Sequence, residues 1–311
     1  SIFLDDNGEL LANIRNVHYI LYHDEFEQNF QCKWGVLSYL NPEDDIKLRT
    51  YNYFCKLDPD TLEILSSTEI DTSKNDIEPI WEFIGLEDVR IFRWEGQLYA
   101  SGVRRDVKDN GEGRIELCKL DVKPNGVIEA TRDRVEVDPH THLEKNWMPI
   151  LDMPFHFVRW CNPLEIIKIN PNNRSKQKVA KGIINIIDSE VVIKNDDKLN
   201  LPLGLRGSSQ VIPFGDNGDR ICVTHETHFF WHQNKKKDAH YYHRFVIWDK
   251  DWKVKKVSEQ FKFMDAMIEF ACGLIIKDDN FIISYGYQDN AAYALKMPIK
   301  LLDELKWDVY E

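Results

Sequence analysis

Short apolar or alternating runs recur along the whole chain, from HYILYH, GVLSYL and TYNYFCKL through DVRIFRW, QLYASGV, IELCKL and FHFVRW to RICVTHE, RFVIWD and FIISYGY. Most of them break at Gly, Asn, Asp or Pro. A period of two closed by turn residues predicts β-strands. One segment of helical period stands out, PIKLLDELKW (Pro298–Trp307), and it predicts a short amphipathic helix packed beside the last strands. Strands this closely spaced, without helices between them, predict an antiparallel all-β fold.

A larger repeat lies over the strands. GLEDVRIFRWEGQLYASGV, EKNWMPILDMPFHFVRW, LRGSSQVIPFGDNGDRICVTHE and EFACGLIIKDDNFIISYGY each run from a polar anchor into a strand, a turn and a second strand. The anchors Asp88, Asn146, Arg206 and Glu269 recur at roughly 60 residues, a little longer than common propeller repeats. An opening unit, NIRNVHYILYHD, makes a fifth. The expected architecture is one domain over residues 1–311, a five-bladed β-propeller with a central-channel active site onto which the polar residues opening each inner strand converge. A β-sandwich with long loops is the other architecture the pattern allows. NPEDD, KPNG, INPNNRSKQK and FGDNGD are expected as turns or loops within that domain, not as linkers.

Composition narrows the partners. Aromatic residues make up 12% of the chain, a supply of flat faces for packing and for stacking on sugars. The net charge of −12 argues against a nucleic acid or anionic lipid partner, and the one basic run, Lys235–Lys237, is expected as a solvated loop tip. Cys32, Cys55, Cys118, Cys161, Cys222 and Cys272 are dispersed without CxxC or Cys/His spacing. Zinc is therefore not expected, buried free thiols are, and they suit a reducing, cytoplasmic compartment. No apolar run reaches the ~20 residues of a membrane span, and no cofactor is implied. The opening Ser is expected either of a trimmed N-terminus or of a domain from a longer, multidomain polypeptide.

Candidate chemistry gathers in a few segments. In GLEDVRIF, Glu87 and Asp88 precede a strand and Arg90 follows Asp88 by two, so alternation predicts Asp88 and Arg90 on one face with the guanidinium orienting the carboxylate. EKNWMPI brings Glu144, Lys145, Asn146 and Trp147 together, a mixture suited to a sugar or sugar-phosphate site. Arg206, beside Gly204 and Gly207, is placed to clamp an anion. Histidines crowd HETHFFWHQNKKKDAHYYHRF. Its HETH is not a zinc-protease motif, because His225 and His228 are three apart on a strand and so face opposite ways. His225 or His243 is expected as a donor to an anion or hydroxyl, with Glu226 as a carboxylate near the channel. Asp289 and Asn290 follow an apolar strand, where they could hold two hydroxyls of one sugar.

EDVRI resembles the EDPRI-like element of glycoside hydrolase family 130, mostly β-mannoside phosphorylases, and of related five-bladed propellers that include the β-1,2-mannosyltransferases. NIRNVHY, RTYNYFCKLD, GLEDVRIF, EKNWMPI, LRGSSQ, THETHFF, IEFACGL and SYGYQDNAAY, in this order from Asn13 to Lys296, are similar to propeller domains of bacterial and viral glycosyltransferase proteins. The resemblance implies an inverting enzyme acting on a β-linked, mannose-like sugar with phosphate, a sugar phosphate or a nucleotide sugar. By it, Asp88 is the acid or sugar-orienting carboxylate, with Glu226 a second catalytic carboxylate. Asn13, Arg15, Glu87, Arg90, Glu144, Asn146, Trp147, Asp289 and Asn290 are expected to line the sugar site, and Arg105, Lys145, Arg206, His225 and His243 to hold phosphate. Val89 stands where Pro is usual, and Arg206 stands in a slot that is glycine-like in the phosphorylases, where the extra guanidinium could read a larger phosphorylated donor and so counts against phosphorolysis. A non-catalytic glycan-binding module, or a hydrolase using Glu226, Glu144 or Glu269 as base, are the other readings.

Overall fold

The computed structural model describes the chain except residues 18–19, 22–28, 33–34, 41–46, 196–203, 232–236, 290 and 311, and gives backbone alone for 20–21, 29–32, 35–40 and 237–238. The described chain is nearly all β. β1 (Ile2–Leu4) and β2 (Leu10–Val17) open it, β3 (Ile20–Leu21), β4 (Asn29–Cys32) and β5 (Gly35–Leu40) form a small separate sheet, and β6 (Leu48–Leu57) and β7 (Ile64–Asp71) complete an antiparallel meander β1-β2-β6-β7. After β8 (Phe83–Ile84) comes the meander β9 (Leu86–Trp94), β10 (Gln97–Arg104), β11 (Arg114–Lys123) and β12 (Gly126–Glu136). The next is β13 (Met148–Pro149), β14 (His156–Cys161), β15 (Leu164–Val179) and β16 (Gly182–Asn195). β17 (Arg206–Gly207) and β18 (Ile212–Phe214) both pair with β19 (Asp219–Trp231), which continues to β20 (Lys237–Trp248) and β21 (Val254–Ser258). β22 (Glu269–Lys277), β23 (Asn280–Tyr287) and β24 (Ala291–Pro298) follow, and β25 (Trp307–Val309) returns to pair with β21.

The expected helix at Pro298–Trp307 is corrected. Only Ile299–Glu304 winds, as a 3-10 helix, and Trp307 begins β25. Leu302 is buried, and Trp307 Nε1 donates to its carbonyl at 2.8 Å, so the turn is fixed by packing and by that bond. The hydrogen-bonding edge of β21 then draws the chain out of the helix.

Apolar alternation places the cores. Ile91, Phe92, Trp94, Leu117 and Val135 pack with Phe54 of the first meander and with Phe157 and Ile167 of the third. Met148, Val158 and Ile166 pack with Cys222, Val246 and Trp248. Ile221, Val223 and Phe245 pack with Leu274, Phe281 and Ile283, and Ile275 and Ile282 pack with Ile2, Leu10 and Cys55. Each cluster thus joins successive meanders, and the fourth joins the last back to the first. Two polar ties cross these cores. Trp94 donates to Ile150 O at 2.9 Å, while buried Gln210 donates to Ile2 O at 2.8 Å and accepts from Leu274 N at 3.2 Å. Cys55, Cys118, Cys161, Cys222 and Cys272 are free thiols, all buried but the last, which is half-buried, and Cys32 lies outside the described side chains.

Candidate functional site

The start of β9 sets the site. Ser101 pairs with Arg90 and Val103 with Glu87, so Asp88 and Val89 together face Gly102 across a β-bulge, and Asp88 adopts a φ of +54°. A Cβ at Gly102 would lie 2.5 Å from Glu87 O, so only glycine lets the bulge close. The bulge corrects the expected orientation of Asp88 by Arg90, because strict alternation ends there. Arg90 Nη1 instead donates to the Asp88 carbonyl at 2.5 Å, and its Nε and Nη2 donate to Ser208 O at 2.9 and 2.8 Å. The Asp88 carboxylate is left for Arg15 of β2, whose Nη1 donates to Oδ1 at 3.0 Å. Arg15 Nη2 also lies 3.6 Å from Glu87 Oε2 and donates to Thr50 Oγ1 at 3.2 Å.

Two adjacent carboxyls consequently titrate apart. At Asp88 burial works upward, but the charges of Arg15, Lys145 and Arg90 outweigh it and hold the carboxyl below the ordinary aspartate range. At Glu87 burial prevails over Arg15, and the neighbouring Asp88 charge adds to it, so its carboxyl is pushed above the ordinary glutamate range. Glu87 Oε1 is buried without a hydrogen-bond partner. Asp289, at φ +54° in the turn after β23, is also shifted upward, by burial and against Arg15, though its surface stays accessible.

Two cations come from later meanders, and one of them, Lys145, reaches this pair. Lys145 sits in the loop before β13, within electrostatic reach of Glu87, Asp88, Asp289 and His225, and among the described residues it has no hydrogen bond or ion pair. Arg206 of β17 lies over the Trp160 ring at 4.3 Å and likewise donates to no described acceptor. Gly207 lets β17 close on the loop before β13, since a Cβ there would meet Asn146 O at 2.3 Å. Arg206 is paired in register with His225 of β19, which puts both side chains on one face. His225 stacks on Tyr241 at 5.5 Å, meets Phe270 edge-on at 5.0 Å, and has Nδ1 2.8 Å from Ser208 Oγ. Burial, with His243, Lys145, Arg206 and Arg90 around it, holds His225 well below the usual imidazole range, so it is neutral at neutral pH. Tyr241, which the sequence did not single out, is pushed up to about 12 by burial and by Asp289 and Asp88. Its only sequence signal was its place two residues from His243 on an alternating strand. Asn13, Arg15, Asp88, Phe270 and Asp289 share the lining of a cavity of about 680 Å³ between β2 and the β22–β24 sheet.

Other expected site residues are engaged elsewhere. Glu144 is buried, accepting from Thr141 N at 2.7 Å, Trp147 Nε1 at 3.1 Å and Arg159 Nη2 at 2.7 Å, so Glu144 and buried Trp147 form a structural clamp, not sugar contacts. Glu226 points away from His225, as adjacent strand positions must, and takes Arg244 Nε at 2.6 Å and His228 Nε2 at 3.4 Å. His243 accepts Ala271 N–H at Nε2, 3.2 Å, and burial pushes it down to about 3, so it is a core histidine and no anion donor. Glu269 accepts from the backbone of Phe263, Met264 and Ala266. With Glu144, Glu226 and Glu269 all tied into the framework, none is placed as a water-holding base. Asn13 donates to Asn52 Oδ1 at 2.9 Å, and Asn146, at φ +63°, has a buried Oδ1 without a partner. Arg105 lies over Phe83 at 4.6 Å and donates to Gly111 O at 3.3 Å, with its charge felt at Glu87. Asn290 lies outside the described residues, as do Lys235 and Lys236.

No family model matches the chain, and no curated protein does. Among solved structures, a mannose phosphorylase from Leishmania mexicana in complex with phosphate ion is similar at 11% identity and a TM-score of 0.49, covering 99% of this chain and 85% of that one. A β-1,2-mannobiose phosphorylase from Listeria innocua gives 12% identity and a TM-score of 0.49, covering 98% and 90%. A GDP-Man-dependent mannosyltransferase from Leishmania mexicana gives 12% identity and a TM-score of 0.39, covering 97% and 85%.

Proposed function

We propose that the chain is an inverting glycosyl-transferring enzyme for a β-linked, mannose-like sugar, using phosphate or a phosphorylated donor at the centre of a five-bladed propeller in a reducing, cytoplasmic setting. The circular packing of successive meanders supports the propeller. One observation carries the chemistry: Lys145, without a protein partner among the described residues, lies within electrostatic reach of two adjacent carboxyls shifted in opposite directions and of His225, whose face Arg206 shares. Cations so placed suit a phosphate oxygen, and a carboxyl whose affinity for its proton is raised suits a leaving oxygen.

In this reading a phosphate oxygen attacks the anomeric carbon, the glycosidic C–O bond breaks, and the Glu87 proton passes to the departing sugar oxygen. In the reverse direction an acceptor hydroxyl gives its proton to Glu87 as phosphate leaves. Asp88, ionised, orients a sugar hydroxyl, and the acid role first assigned to it passes to Glu87. Asp289 is a second hydroxyl ligand at the open side. His225 contributes as a neutral hydrogen-bonding ring, not as a cation.

The test is to incubate the protein with inorganic phosphate and a panel of β-mannosides and to measure sugar phosphate formed and free sugar released. Arg206→Ala should weaken phosphate roughly ten- to a hundredfold, the worth of a charge-assisted hydrogen bond, while the sugar KM changes little. Phosphate-independent turnover, or an Arg206→Ala variant with unchanged phosphate affinity, would sink the phosphate reading.

A further inference from the structure

We infer that the sugar handled in the pocket carries an apolar aglycone, held in a gap between the first and last meanders; the inference rests on the pocket being a sugar site. Large side chains join these meanders where Ile275 and Ile282 of the last pack on Ile2, Leu10 and Cys55 of the first. Beyond that contact the last meander turns small. Alternation carries the face of Ile282 on to Ser284 and Gly286, and the register sets Ala294 opposite Ser284 and Ala292 opposite Gly286. The facing strands keep large apolar residues, with Ile14 opposite Tyr53 and Leu57 opposite Ile64. Small residues on one side and large ones on the other leave a gap, and all eight line the cavity of about 680 Å³.

Packing does not require the small row. Gly286 is outside the left-handed region, and a Cβ there would have only Ala291 O near it, at 3.9 Å. A glycine inside a strand costs stability, and what this one provides is the space beside it. The same cavity reaches Asn13, Arg15, Asp88 and Asp289, so the apolar arm and the polar site are one space. Asn13, next to Ile14 and 4% exposed, holds an Oδ1 without a hydrogen-bond partner, an acceptor for a ligand hydroxyl. Arg15, Asp88 and Asp289 are the only charged side chains in the lining among the described residues, and the arm beyond them has none. The phosphates of a nucleotide would find no cation in the arm. An apolar group asks for none and gains by leaving water, and the volume is that of a site for a ligand larger than one sugar.

Calorimetric titration of the intact protein with methyl, butyl and hexyl β-mannoside and with β-mannobiose tests this. Wild-type affinity should rise roughly fourfold for each added methylene that is buried, and hexyl β-mannoside should bind tighter than β-mannobiose. Gly286→Val and Ala294→Leu each put a side chain into the gap. Either variant, once thermal melting shows it folded, should flatten the series, so that the ratio of hexyl to methyl affinity falls toward one. A wild-type series without a gain, a gain that survives in both filled variants, β-mannobiose binding tighter than hexyl β-mannoside, or a dimer in sedimentation that hexyl β-mannoside dissolves would each overturn the apolar arm and leave the pocket reading intact. Failure of every mannoside to bind would instead defeat the pocket reading, and the arm with it.

Discussion

Replacing Glu87 with Gln is expected to lower kcat by about 10²–10⁴-fold, the usual worth of a general acid, with the fold unchanged. Gln keeps the shape and the contact with Arg15 but has no proton to give to a leaving oxygen. The pH profile carries the sharper information. Glu87 is shifted above the ordinary glutamate range, so in the wild type kcat/KM should fall as pH rises through that raised value. Asp88 is shifted below the ordinary aspartate range, so the acid limb should appear only as pH falls through that lowered value. Glu87→Gln should lose the alkaline limb and keep the acid one, whereas Asp88→Asn should lose the acid limb. Asn tolerates the left-handed backbone at position 88, so Asp88→Asn should also keep the bulge. An alkaline limb that survives in Glu87→Gln would assign the proton to another group.

Glu144→Ala should cost about 3–5 kcal/mol of stability, because it leaves the buried Arg159 guanidinium short of its closest carboxylate. Thermal melting should show it as a fall of many degrees, with Glu144→Gln intermediate, since an amide oxygen can still accept from Thr141 and Trp147. Hydrogen bonds and the Arg159 charge overcome burial and hold Glu144 below its ordinary range. Its contribution is therefore present above the ordinary glutamate pKa and is lost as pH falls through the lowered value. Acid unfolding of Glu144→Gln should be correspondingly less steep there. A variant with unchanged melting but a raised sugar KM would return Glu144 to the sugar site.

The residues of the site were more legible than their roles. Asp88, Lys145, Arg206, His225 and Asp289 stand beside strand starts and turns, where polar side chains interrupt apolar alternation; Lys145 comes within electrostatic reach of Asp88, Asp289 and His225, and Arg206 of His225. Glu144, His243 and Glu226 carry the same local signal, and each is used up by Arg159, Ala271 N–H or Arg244. Nothing in the neighbouring letters distinguishes a carboxylate that meets an arginine from distant sequence from one that meets none. Tyr241 was missed for the converse reason, since its importance lies in which remote carboxylates it faces.

The alternation of apolar and polar positions by itself determined that this chain is built of strands, because a period of two is a property of the backbone and needs no partner. It also determined that His225 and His228 face opposite ways. Tertiary structure alone decided that Asp88 leaves the alternation at a bulge opposite Gly102, that the Asp88 and Glu87 carboxyls shift in opposite directions, and that Lys145 and Arg206 have no acceptor among the described residues. Those outcomes depend on burial and on charges brought from other meanders, and Coulomb and desolvation energies are set by distance in space, not by distance along the chain.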